Sequence, residues 1–190
     1  MPSSRPLRAD ARRNREALLA AAREALLADD AAHVEEIARR ADVAVGTLYR
    51  HFATREALVA EVYRQEVAEL CAAPARLLAQ HAPDEALRAF LLLLVEHAAV
   101  GRGMGEALDS IMATDSPVFD DARDEMARAL DELLAAGVAA GLVRSDVEGR
   151  LVLRALGGIC GMRAKGWKDD ALHIATILYD GLRYAAPNHG

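Results

Sequence analysis

The stretch VEEIARRADVAVGTLYRHF, residues 34–52, constrains the fold more than any other part of the chain. Val34, Ile37, Ala38 and Ala41 recur at helical spacing and form one apolar face. Asp42 and Val43 interrupt that pattern as a turn. A second short helix follows over 45–51, with Leu48 on its inner side and Phe52 behind it. Helices this short are not stable alone, so they must lean on each other and on a larger helical body. The rest of the chain suits that body. Ala and Leu dominate, hydrophobic residues make up 53%, aromatics only 4%, and no convincing alternating strand segment stands out. The expected fold class is all-α.

Further helices follow from capping and periodicity. Asp10 is placed to cap a first helix over 10–28, whose Leu18, Ala22, Ala25 and Leu26 share a face. Thr54 caps a long fourth helix carrying Glu56 in its first turn, and Pro74 should kink or end it. Helices are then expected over 84–100, over a short piece ending near Met112 after the break GRGMG at 101–105, and over 117–140, 147–164 and 169–185. That makes nine. Residues 1–54 read as a small N-terminal domain and 55–190 as a larger C-terminal one, joined through the long fourth helix.

Charge is divided unevenly between these parts. The net charge of -6 belongs to the C-terminal two thirds. Residues 1–64 hold 11 Arg and 10 acidic residues, and the first fifteen hold five Arg against Asp10 alone. Whole-chain acidity therefore does not exclude a polyanionic partner for the N-terminal part. The basic N-terminus has no apolar run behind it and does not read as a signal peptide. The longest apolar run, 89–95, is too short to span a bilayer. Cys71 and Cys160 lie far apart in expected helices and read as reduced thiols. A cytoplasmic location is expected. No metal-ligand spacing, phosphate loop or nucleophile motif emerges, so neither a metal, a cofactor nor an enzymatic activity is expected.

A brace helix followed by a second helix can seat that second helix in a DNA major groove. Val45, Gly46, Thr47, Tyr49 and Arg50 would face outward. Small residues at the start let the backbone approach base edges, Thr47 can meet a base or a phosphate, and Arg50 can reach guanine or a phosphate. Tyr49 and His51 carry donors for phosphate oxygens, and Arg55 adds charge at a helix N-terminus suited to anions. From these residues alone a second reading stands beside the first: a helical hairpin inside an all-α bundle, in a ligand-binding or enzymatic module whose helix-turn-helix is purely structural.

Residues 10–63 resemble the N-terminal domain of TetR-family transcriptional regulators in EALLAAAREALL, EEIARRADVAVGTLYRHF and TREALVAEVY. The most distinctive run is TLYRHF, followed by a basic residue and Glu-Ala-Leu. The resemblance implies an all-helical homodimer with two DNA-binding domains and C-terminal ligand-binding and dimerisation domains. It also implies a repressor that binds a palindromic double-stranded DNA operator and is released by a small-molecule effector. By the same resemblance Val45, Gly46, Thr47 and Arg50 match base-facing positions, and Tyr49, His51 and Arg55 match phosphate-holding ones. His33 matches a region that touches the DNA backbone. Two residues depart from the family pattern: Asp42 stands where the turn usually has Gly, and Ala44 where the second helix often starts with Ser or Thr.

The C-terminal part offers candidates for an effector pocket. Phe90, Leu94, His97, Met104 and Leu108 are adaptable or aromatic residues of the middle helices. So are Met112, Phe119, Met126, Cys160 and Trp167. Any one of them serves equally as core packing. The last two helices suit a homodimer interface, with Leu172, Ala175, Thr176, Ile177, Tyr179 and Leu182 on one and Gly157, Gly158 and Gly161 permitting close approach on the other.

Overall fold

The computed structural model describes residues 5–28, 33–105, 108, 117–161 and 165–184. Among them lie nine helices and no strand: α1 (Arg5–Ala28), α2 (Val34–Arg40), α3 (Val45–His51), α4 (Arg55–Cys71), α5 (Ala73–Gln80), α6 (Pro83–Gly103), α7 (Pro117–Ala139), α8 (Gly149–Cys160) and α9 (Trp167–Arg183). They are all-α, as expected, and group into two compact units. The first takes the described residues of 1–65 and 100–116, the second those of 66–99 and 117–190.

The start of α1 and the end of α6 differ from the sequence reading, whereas the end of α4 follows it. α1 begins at Arg5, so Asp10 is not its cap but pairs with Arg13 one turn on. Pro6 is tolerated in that first turn, where its missing N–H would have no partner. The long fourth helix ends at Cys71, one of the two outcomes expected of Pro74, which itself sits in the first turn of a new helix, α5. α6 runs through Gly101 to Gly103 instead of stopping at Val100. The short helix expected to end near Met112 lies outside the described residues.

In the first unit Leu18, Leu19, Ala22 and Leu26 of α1 are buried together with Ile37, Leu48, Phe52, Leu58 and Val62. α1 packs on both α2 and α3. In the second unit Leu87, Phe90 and Leu91 of α6 join Leu130 and Leu133 of α7, Val152 and Leu156 of α8, and Ala171 and Tyr179 of α9. A polar knot ties α6 to α9. The Tyr179 hydroxyl donates to Glu85 at 3.0 Å, and Arg183 pairs with the buried Asp84 at 3.1 Å while stacking on the Tyr179 ring. Burial, then the neighbouring carboxylates, push the Tyr179 phenol up to about 12.

The junction of α7 and α8 is closed by a glycine. The Gly149 N–H donates to Asp131 Oδ1 at 2.6 Å, which satisfies an orphan donor at the start of α8. A β-carbon at 149 would stand 2.5 Å from the Ala127 carbonyl oxygen and 2.8 Å from Leu130 Cβ. Gly149→Ala should therefore overpack the junction and lower the unfolding free energy by about 2 kcal/mol, read as a fall in the urea midpoint.

Candidate nucleic-acid interface

Backbone hydrogen bonds set the angle between α2 and α3. The Ala41 N–H donates to the Ile37 carbonyl at 3.0 Å, and the Val43 N–H returns to Ala38 at 3.0 Å, closing α2 over the turn. Between them Asp42 takes the left-handed conformation, φ 54°, that makes Gly the usual residue in such a turn. Asp tolerates this better than most side chains. Ala44 then sits at the N-cap of α3 in an extended conformation, without a side-chain oxygen to offer, and its carbonyl accepts the Thr47 N–H at 2.8 Å. Beyond α3, Thr54 Oγ1 accepts the Ala57 N–H at 3.1 Å, so the start of α4 carries the cap the sequence indicated.

Side chains hold this frame from behind. Ile37, Ala38, Leu48 and Phe52 are buried, whereas Val34, Ala41 and Val43 are only half-buried. Arg15 of α1 lies 5.3 Å over the Phe52 ring and pairs with Glu61 of α4 at 2.7 Å. One guanidinium thus ties α1, the end of α3 and α4 together. Sequence reasoning missed this, because Arg15 looks like one more charge of a basic N-terminus and the contact exists only after folding. On α2, Glu36 accepts from Arg39 at 2.7 and 2.9 Å and from Arg40 at 2.7 Å. These hydrogen bonds, that of Arg39 first, hold its carboxyl down to about 2.

The outward surface follows from the inward one. With Leu48 turned in, Gly46, Tyr49 and Arg50 are exposed, and Val45, Thr47 and His51 are half-buried on its flanks. Tyr49 retains 47% exposure, unusual for a ring in a small helical unit. His33 is exposed at the N-cap of α2, and Arg55 is half-buried in the first turn of α4. The eight residues named for DNA contact thus all lie on or beside α2, α3 and the start of α4.

The candidate pocket residues do not all gather. Phe90, Leu94, Met126 and Cys160 are buried in the core of the second unit, with Trp167 packed against it. His97 is half-buried in the same unit, where desolvation lowers its pKa and the Glu66 carboxylate opposes that shift. Met104 and Leu108 are buried but belong to the first unit. Met112 lies outside the described residues, as does the side chain of Phe119. Of the residues named for association, Ala175, Tyr179 and Leu182 instead fill the core, while Thr176 and Ile177 are exposed. Leu151 of α8 is also exposed, and among the described residues nothing lies within 4 Å of a β-carbon built on Gly157, Gly158 or Gly181. Among the described residues no group of three His, Cys, Asp or Glu side chains could hold a metal ion, and no helix is long and apolar enough to cross a membrane.

A buried brace, a left-handed turn and a second helix with an uncluttered outer face define a helix-turn-helix DNA-binding module. Comparison with known proteins agrees. Residues 18–62 match the model of bacterial regulatory proteins of the tetR family, and residues 82–184 match that of the SbtR-like transcriptional regulator C-terminal domain. A TetR transcriptional regulator from Streptomyces coelicolor is 39% identical, with a TM-score of 0.77 over 89% of this chain and 98% of its own. One from Mycobacterium vanbaalenii is 36% identical, with a TM-score of 0.72 over 94% and 99%. A third, from Thermus thermophilus, shares the fold at 22% identity, with a TM-score of 0.57 over 87% and 98%. No curated protein matches the chain. The chain belongs to the TetR family and is a DNA-binding transcriptional regulator.

Two measurements test the energetics of the α3 cap and of His97. Ala44→Ser supplies the missing cap and should raise the unfolding free energy by about 1 kcal/mol, read from thermal or urea melts. The folded-state pKa of His97 lies below its ordinary 6.5. Unfolding therefore takes up a proton there as pH falls, so this contribution to stability is full above pH 6.5 and is lost below it. His97→Gln should flatten the decline in urea midpoint between about pH 7 and pH 5.

Proposed function

We propose that the protein is a homodimeric repressor that reads a palindromic operator through α3 and is released when a small-molecule effector binds its C-terminal part. In this reading residues 1–54 bind DNA and residues 55–190 bind the effector and dimerise. Val45, Gly46, Thr47 and Arg50 face the bases. Tyr49, His51, Arg55 and His33 hold phosphates and fix the register. The effector is lined by residues of the second unit's core, among them Phe90, Leu94, His97 and Cys160, and the two copies join through α8 and α9. The protein works in the cytoplasm and catalyses no reaction.

The observation that carries this reading is the outer face of α3. A glycine early in a short helix weakens it, yet among the described residues nothing outside the helix's own neighbouring backbone lies within 4 Å of where a Gly46 β-carbon would stand. No packing among the described residues asks for glycine at 46. A base edge approaching the helix would. Exposed Tyr49 and Arg50 stand on the same face, ready for phosphate and guanine.

This separates binding from stability. Gly46→Ala should stabilise the fold by up to about 1 kcal/mol while weakening operator binding. Tyr49→Ala with Arg50→Ala should reduce affinity at least about tenfold with folding and dimerisation intact. Fluorescence anisotropy with duplexes from upstream of the protein's own gene, at several salt concentrations, reads both. Absence of salt-dependent binding by the unaltered protein would sink the proposal.

A further inference from the structure

The GRGMG cluster at 101–105 has no part in the reading above, and its first three residues lie inside α6. Two of its glycines are unlike each other. Among the described residues, a β-carbon added at Gly101 would meet Leu108 Cδ2 alone, at an ordinary 3.7 Å. At Gly103 it would collide with the carbonyl oxygen of Leu26 and stand 2.6 Å from the carbonyl carbon. These are backbone atoms of α1 and cannot swing aside. Leu26 and Val100 are each 1% exposed and Met104 is fully buried. All belong to the first unit, which therefore contains the last turn of α6 as well as α1, α2 and α3.

We propose that Gly103 is a positioning residue for DNA recognition. The end of α6 is part of the reading unit, and its backbone contact with Leu26 sets where α1 lies. α1 carries the surface on which α2 and α3 pack, and its Arg15 holds the Phe52 ring behind α3. A close-packed interior transmits a displacement at Leu26 instead of absorbing it. Gly103 thus acts on the outer face of α3 without touching DNA. The inference rests on α3 being the DNA-reading helix.

The test uses the full-length protein and an operator selected in vitro from random duplexes with the unaltered chain. Gly103→Ala and Gly101→Ala both replace a glycine in α6, so the effect on backbone freedom is shared. Affinities are measured on the selected operator and on random-sequence DNA, at a temperature where circular dichroism shows each variant folded. Gly103→Ala should lose about tenfold or more on the operator, the scale of an overpacked contact. Its random-sequence binding and salt slope should stay unchanged, because the groups that hold phosphates are intact. Gly101→Ala should match the unaltered protein on both. A purely structural role would lower both affinities together through the folded fraction. The proposal is overturned if Gly103→Ala keeps the operator affinity, or loses operator and random-sequence binding equally. Should that variant not fold, Met104→Ala, which loosens the same turn without a collision, should show the same selective loss, and an unchanged specificity ratio there overturns the proposal. If the unaltered protein selects no sequence at all, the DNA-reading assignment itself fails, an outcome distinct from both.

Discussion

Leu48 decides the orientation of α3. It has no exposed surface, and it is the single fully inward residue of a helix only seven residues long. A helix that short has little intrinsic stability, so its position is that of its one buried side chain and of the Phe52 ring that follows. Both depend in turn on α1, through the apolar face around Leu18 and Ala22 and through Arg15. Rotate Leu48 outward and Tyr49, Arg50 and Gly46 lose their common face. The outer chemistry of α3 is thus set by what lies beneath it.

Electrostatics follow the same economy. The excess of acidic over basic residues lies in the C-terminal two thirds of the chain, while α3 contains no acidic residue. On the neighbouring α2, the acid closest to the turn is already committed: Glu36 is bonded to both Arg39 and Arg40. A phosphate near this surface meets a carboxylate whose charge is locally matched. The dipole at the start of α4, capped by Thr54, adds favourable potential beside the Arg55 cation.

Much of this was legible in the sequence, and what was not has identifiable causes. The bounds of α3 and the capping role of Thr54 follow from local patterns, which local chemistry governs. The face buried by α2 was read too widely: Ile37 and Ala38 are covered, while Val34 and Ala41 lie at its edges. Pro74 could be placed only as a disturbance, because whether a proline kinks one helix or opens the next depends on the residues that pack around both. The two glycines in α6 looked like a break, since propensity counts their cost and cannot see a neighbouring carbonyl. Arg15 and the Tyr179 knot were invisible for the same reason, being contacts between residues far apart in the chain. The residues of α9 named for association were misread where Ala175, Tyr179 and Leu182 turn inward. An apolar stripe does not say which of its sides meets its own core.

The composition of the first unit bears on how regulators of this kind can be recombined. The sequence alone suggests a detachable head ending near the start of α4, and a chimera would be cut there. The first unit is discontinuous, however, and borrows a turn from the middle of the chain. A head transplanted onto another body inherits that body's version of the turn. Swapped reading heads should therefore work only among bodies that present a glycine, or an equally flat backbone, opposite Leu26, which makes that one position a compatibility key between otherwise exchangeable halves.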